Sequence, residues 1–437
     1  MKTPRKFRLL TLISAPEHLR KAWKALNKSN PDSRGLSMDT IKDFNNSIEI
    51  HIIEIRKLLK SRKYKFNDVR PVLIPKKDKG EFRPLRVADI CDRLVQKALA
   101  MKLEELLSEK YKLNNECSFA YQKDRRVEDA IKKTVEHYKN GNEIILEADI
   151  KKFFDNVNRK KLLKKVYADL PDKSINKLLA DALSQSVGDL SKYDQKHHHY
   201  FLNSIQGIPQ GNSISPLMAN IYLSDFDQRM IKEGLNLVRY ADDFIVLCKT
   251  IGEANKALQI AIEEIETKLE LELHPLPEPF YLEGSKTRIV NPAIHKFSFL
   301  SIRFDGKNVW VSPSKITDLR EKINLITDIS NYKNDPKYQG LITILKRLKN
   351  LLEGWLSAFK YVDIDRDFAE IDDHINYKLM GALLKLDFKI KTNYQKIKKI
   401  KSSDDKVAQL TEIQRKNTGV PLCKDFLDSI NRGKIIL

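Results

Sequence analysis

Three observations make the sequence predict an α+β protein. Short β-rich runs are bounded by turn residues, longer segments repeat apolar residues at a helical period, and both kinds recur along one chain of 437 residues. That length suits two to three domains, or one elongated enzyme of several lobes. Hydrophobic residues make up 41% of the chain, which argues for packed cores over disorder. Lys and Arg number 79 against 59 Asp and Glu, a net charge of +20. With a pI near 9.5, this implies a polyanionic partner such as nucleic acid, an anionic membrane surface being the competing reading.

No run of about 18 apolar residues occurs, so no transmembrane helix is expected. The opening "MKTPRKFRLLTLISAPEHLRK" breaks its short apolar patch with Thr and Ser and reads as mature protein, not as a signal peptide. Cys91, Cys117, Cys248 and Cys423 lack metal or redox spacing and are expected to be reduced, buried thiols of a cytoplasmic protein.

Taken in order, residues 1–60 read as helical, with Ile41, Phe44, Ile48, Ile52, Ile55 and Leu58 or Leu59 near a helical period. In "YKFNDVRPVLIPKKDKGEFRPLRVADI" two β-rich runs flank a charged turn, which predicts a basic hairpin. A helix follows through "DRLVQKALAMKLEELLSEKY", and "EIILEAD" is a buried strand from Glu143 to Asp149. "GIPQGNSISPLMANIYLSDFDQRM" turns into a helix capped by Asn212 or Ser213, with Ile214, Leu217, Met218, Ile221 and Tyr222 on one face. "LVRY" and "FIVLCK" pair with "ADD" at or near the bend, and an amphipathic helix is expected from Glu253 to Leu271. Beyond residue 312 the chain is helical and basic, with a stripe of Leu341, Ile344, Leu345, Leu348, Leu352, Trp355 and Phe359.

Asp149 closes an apolar strand, and Asp242 and Asp243 interrupt another apolar stretch. An unpaired buried carboxylate would take up a proton, so such groups need a turn, a cationic partner or a metal. Asp pairs are also common in turns and as helix caps, and for each piece alone that reading stays open. If the two elements are neighbours in one sheet, three carboxylates converge at its edge. Two Mg²⁺ ions about 3.5 to 4 Å apart would then neutralise them, activate an attacking hydroxyl and stabilise a leaving pyrophosphate oxygen. The chemistry would be nucleotidyl transfer. The triple histidine His197–His199 is not expected to bind metal, because at most two such side chains on a strand share a face.

"RYADDFIVL" resembles the Tyr-x-Asp-Asp signature of reverse transcriptases, "EADIKKFFDNV" their first palm motif and "GIPQGNSISPLMANIYL" the motif between the two. The likeness is to the bacterial lineage related to group II intron-encoded enzymes. It extends from "IPKKDKGEFRPLRVADICDRLVQKAL" to "SKTRIV" and "FSFLSIRF", and "LLEGWLSAFKYV" resembles the thumb of the same group. It implies a right-hand polymerase: an N-terminal helical extension over 1–60, fingers over 61–145, and a palm of antiparallel sheet flanked by helices over 146–305, with part of the fingers in 160–205. A helical basic thumb and tail would fill 306–437.

The resemblance also implies roles, position by position. Asp149 and Asp242 would be the principal ligands of two Mg²⁺ ions, with the Ile150 carbonyl an additional ligand and Asp243 an accessory one. Phe154 would be the steric gate that favours dNTPs, while Phe153 is core. Lys76 and Arg83 would hold the triphosphate. Lys77 and Lys79 would be solvated hairpin charges near the template. Gln210 and Gly211 would lie under the nascent base pair, a structural turn being the alternative, and Lys286 would stand near the triphosphate. Two departures occur: the insertion "PLPEPFYLEG" precedes Lys286, and "FLS" stands where many relatives have Phe-Leu-Gly. Lys346, Arg347 and Lys349 would track phosphates or line a solvated helix face.

The implied partners are an RNA template, a DNA product and dNTPs, with no membrane. Without a recognisable RNase H, endonuclease, retron or integrase-like element, the expectation is a standalone enzyme of the group associated with anti-phage defence, copying a structured non-coding RNA. Retron-like, CRISPR-associated and intron-derived enzymes, or a silent RNA-binding scaffold, are the alternatives.

Overall fold

A computed structural model describes residues 8–76, 80–201, 206–332, 338–391, 393–396, 406–430 and 432–435. Helices and antiparallel hairpins alternate, so the fold is α+β. The chain divides into two compact units, one of residues 1–130 and 145–289, the other of residues 131–144 and 290–437.

In the first unit, strands β1 (Arg70–Pro75) and β2 (Phe82–Val87) form the antiparallel hairpin, with Ile74 opposite Arg83 and Pro75 opposite Phe82. Strands β3 (Ile144–Asp149), β4 (Asn236–Tyr240), β5 (Asp243–Cys248) and β6 (Arg288–Val290) make one sheet in the order β4-β5-β3-β6. Phe244 to Cys248 are all buried, the pattern of an inner strand covered on both faces. The helices Ser215–Lys232 and Ile251–Ala261 supply that cover against β4 and β5. Asp149 ends β3, the neighbour in the sheet of the strand that Asp243 begins, and both residues line one cleft.

Several local expectations are corrected. The apolar series from Ile41 to Leu59 is two helices, Ile41–Asn46 and Ile48–Lys60, because Ser47 leaves helical geometry at φ −124°. Neither Asn212 nor Ser213 caps the helix that follows; it starts at Ser215, after Ile214, with no side-chain cap. Asn212 is engaged elsewhere, accepting from the Ile214 N–H at 2.8 Å and donating to the Ala182 carbonyl at 2.6 Å. The helix expected over Glu253–Leu271 becomes π-helical from Ile262 to Lys268, a wider turn that buries both Glu264 and Ile265. The three histidines lie on a 3₁₀ turn, Gln195–Tyr200, and not on a strand. His198 bonds the Leu190 and Tyr193 carbonyls, and His197 packs edge-on against Phe82. Cys117, Cys248 and Cys423 are buried, whereas Cys91 is only partly so.

In the second unit, β7 (Phe297–Phe299), β8 (Ile302–Phe304) and β9 (Val309–Val311) form an antiparallel sheet. Leu300 and Ser301 form the two-residue turn between β7 and β8, at φ +49° and +70°. Both carry a Cβ in the left-handed region, so Ser301 adopts without glycine the backbone that glycine would adopt freely. The helix Leu341–Phe359 buries Ile344, Leu348, Leu352 and Leu356, which shifts the apolar stripe away from Leu341 and Phe359. Among the described residues, no helix is long and apolar enough to cross a membrane.

Candidate active site

The β4-β5 hairpin closes through a two-residue loop, Ala241-Asp242, with Tyr240 opposite Asp243. So tight a loop demands an unusual backbone, and Ala241 supplies it at φ +62°. A residue with a Cβ held there costs about 1–2 kcal/mol. The turn presents Asp242, and β5 begins at Asp243.

Two ion pairs cross from β3 to the segment entering β6. Lys286 Nζ donates to Asp149 Oδ2 at 3.0 Å, and Arg288 Nε donates to Glu147 Oε2 at 2.7 Å. Both pairs use every second residue, the side-chain period of an extended strand. His274 Nε2 stands 3.8 Å from Asp149 Oδ2, and the backbone N–H of His274 donates to the Asp149 carbonyl at 3.1 Å.

A cleft of about 620 Å³ opens over Asp149 and Lys286. Asp149, Ile150, Asp242 and Asp243 line it, together with Lys76 and Arg83 from the β1-β2 hairpin, Phe154, Gln210, Gly211 and Lys286. Ten of the residues singled out in the sequence thus share one cavity. Lys77 lies outside the described residues. Lys346, Arg347 and Lys349 belong to the second unit, on the helix Leu341–Phe359: Lys346 is exposed, Arg347 lies 5.0 Å over the Tyr332 ring, and Lys349 is 3.9 Å from Glu353.

Local structure explains how the cleft walls are held. Lys152, at φ +45°, turns the chain after β3 into the short helix Phe153–Asn156; Phe153 is buried, and Phe154 meets it edge-to-face at 5.4 Å while remaining partly open to the cleft. The Phe154 carbonyl accepts from Ile208 N–H at 2.8 Å. Gly207 makes that approach possible: at φ +83°, a Cβ there would stand 2.8 Å from the Asp155 carbonyl oxygen. Gly211, at φ +97°, brings its loop against β2, where a Cβ would stand 3.2 Å from the Arg86 carbonyl oxygen. Gln210 accepts from Arg86 N–H at 2.9 Å, and its side chain bonds Asp155. Lys76 is paired with Glu81 at 2.9 Å on the exposed hairpin.

Charge at the strand ends is only partly balanced. Burial, and then the charge of Asp149, push the Asp242 carboxyl above the ordinary range, while Arg83 and Arg239 act the other way. Asp243 is exposed toward the cleft, yet desolvation by the surrounding walls and then Asp242, Asp149 and Glu147 push its carboxyl up to about 7. Among the described residues no three Asp, Glu, His or Cys side chains converge closely enough to hold one ion by themselves. Two carboxylates at adjacent strand ends, supplemented by a backbone carbonyl, water and phosphate oxygens, are nevertheless a donor set that suits Mg²⁺, which rarely takes an all-protein cage. The all-oxygen chemistry and the upward push on the Asp242 and Asp243 carboxyls both fit a divalent cation.

Glu147, Arg288, His274 and Tyr121 join the site without being among the residues that the motifs single out. For the first and second, the alternation in "LEAD" and "SKTR" carried a signal, two charges of one sign spaced to meet two of the other. Tyr121, half exposed in the cleft at φ +61°, had none.

The family described as reverse transcriptase (RNA-dependent DNA polymerase) matches residues 74–303, more than half of the chain. The chain belongs to the reverse transcriptase family. Protein YkfC of Escherichia coli K12 is 29% identical over 237 residues, 52% of this chain and 58% of YkfC. The group II intron-encoded protein LtrA of Lactococcus lactis is 28% identical over 239 residues, 54% of this chain and 37% of LtrA. The matched stretch therefore spans less than two thirds of either relative. A chain of a solved partial Cas6-RT-Cas1–Cas2 complex is 23% identical, covering 59% of this chain and 43% of that one, at a TM-score of 0.35.

Proposed function

We propose that this reverse transcriptase is an active RNA-directed DNA polymerase that adds dNTPs to a primer 3′-hydroxyl. The observation that carries the reading is the gathering of Asp149, Asp242 and Asp243 with Lys76, Arg83, Phe154 and Lys286 around one cleft. A scaffold that only binds RNA would have no use for three carboxylates lining one cleft.

In this reading residues 61–145 supply the fingers, 146–305 the palm and 306–437 the thumb. Asp149 and Asp242 hold the cations, with Ile150 and Asp243 in support. Two bound Mg²⁺ ions would supply charge neutralisation at the reacting phosphate and a more acidic attacking hydroxyl. Lys76 and Arg83 approach the triphosphate with opposite charge, Lys76 exchanging Glu81 for phosphate. Lys286 bridges Asp149 and the incoming phosphates. Phe154 crowds a ribose 2′-hydroxyl, and Gln210 and Gly211 support the new base pair from beneath. Lys77, Lys346, Arg347 and Lys349 meet the nucleic-acid backbone.

The test is incorporation of dNTPs by the purified chain on a primed RNA template with Mg²⁺; no incorporation across templates and primers would overturn the reading. RNA affinity should fall steeply with salt, by at least about tenfold between 50 and 200 mM, because several phosphate contacts release counterions together. Lys286→Ala should raise the KM for dNTP about tenfold, the worth of one charge-assisted contact, with RNA affinity unchanged in a filter-binding titration.

For the biological role, we infer a dedicated structured non-coding RNA template in anti-phage defence. The likeness to the intron-encoded protein LtrA favours an intron-derived role as the second reading. Sequencing the RNA and DNA that co-purify with the protein separates them: a single non-coding RNA with its cDNA supports defence, and intron RNA supports mobility.

A further inference from the structure

We propose that Arg239 is a positioning residue, a buried clamp that fixes the turn carrying Asp242 to the helix behind it. Arg239 stands two residues before that turn and is 1% exposed, as is Asp227 on the helix Ser215–Lys232. All three guanidinium nitrogens are engaged. Nε and Nη2 donate to the two Asp227 carboxylate oxygens at 2.7 and 2.5 Å. Nη1 donates to Asn220 Oδ1 at 3.2 Å and to the Ala241 carbonyl at 2.9 Å, and Nη2 also donates to Ser118 Oγ at 2.8 Å. The Ala241 carbonyl is the peptide oxygen immediately before Asp242. The backbone is tied as well: Arg239 N–H donates to the Cys117 carbonyl at 2.7 Å, and Phe119 N–H to the Arg239 carbonyl at 2.9 Å.

A buried ion pair is weak evidence of stabilisation, since removing two charges from water offsets most of their attraction. What a planar fork with five fixed donors supplies is geometry. Here it spans three elements at once: the helix through Asp227 and Asn220, the segment through Ser118, and the turn through Ala241. Ala241 is held at φ +62°, a backbone that persists only where its surroundings over-determine it. The clamp supplies that constraint, and it sets the carboxylate of Asp242 without touching substrate.

The inference rests on the polymerase reading for its catalytic consequence, but its structural content can be measured separately. In the full chain, Arg239→Met with Asp227→Leu replaces the pair by apolar groups of similar volume and removes the bond to Ala241. Arg239→Lys keeps the charge and loses the fork, and it serves if the double variant does not fold. In whichever variant melts cooperatively, amide hydrogen exchange across 240–243 should quicken at least tenfold while the helix 215–232 stays protected. The kcat for dNTP incorporation should fall on the order of a hundredfold, with KM for dNTP within threefold, as expected when a reacting group is misplaced by about 1 Å.

Unchanged exchange at 240–243 would overturn the clamp. So would faster exchange with an unchanged kcat, which would show that the turn's position does not matter to the reaction. If Asp242→Asn itself retained full incorporation, the polymerase assignment of that carboxylate would fall, while the exchange measurement would still decide whether Arg239 holds the turn.

Discussion

Asp149→Asn and Asp242→Asn are each expected to abolish dNTP incorporation while leaving RNA binding within about twofold. Either change keeps the side chain's shape and removes one of the two carboxylates at the adjacent ends of β3 and the β4-β5 turn. Loss of several kcal/mol of charge stabilisation at the transferred phosphate corresponds to a fall of about a thousandfold or more in rate. Asp243→Asn should lose only about tenfold, because it is the accessory ligand in this reading, while Asp149 and Asp242 are the principal ones. Single-turnover extension of a labelled primer measures all three. Activity in Asp242→Asn close to wild type would remove the turn from the reaction, and a loss in Asp243→Asn as deep as in the other two would make it a full ligand.

Phe154→Val and Phe154→Ala are expected to shift the choice between rNTP and dNTP by about 10- to 100-fold, as does a change of shape that decides whether one extra group fits a pocket. The ring lines the cleft, and its own backbone is immobilised through Ile208, so removing side-chain atoms opens space without freeing the chain. The measurement is kcat/KM for matched rNTP and dNTP on one template. An unchanged ratio, with a lowered melting temperature, would mean that Phe154 serves packing against Phe153 and not discrimination.

Much of the first unit was legible because its signals are local. Alternation with turn chemistry gave the β1-β2 hairpin, and "RYADDFIVL" gave the β4-β5 hairpin with the Asp pair at its bend. The same two-residue period pointed to Asp149 at the end of a strand. What escaped depends on contacts remote in sequence. Nothing near Asn212 says that Ala182 will take its amide and displace the helix start to Ser215. Nothing near Ile262 announces a π-turn that buries Glu264. The histidines lie on a 3₁₀ turn in which His198 bonds the nearby Leu190 and Tyr193 carbonyls, and only the packing of His197 on Phe82 depends on a hairpin more than a hundred residues upstream. Arg239 reads as one more cation in a basic chain until its five acceptors are seen together.

The two-residue loop between β4 and β5 has one more consequence. One residue added or removed between Tyr240 and Asp243 would turn each side chain from Phe244 to Cys248 to the opposite face, against buried neighbours of another shape. The Asp242 carboxylate is therefore located by counting: its distance along the chain from the core fixes its place, as the notch of a gear is fixed by the number of teeth behind it. Exposed loops absorb length variation, and the Ala241-Asp242 loop, which has no slack, does not.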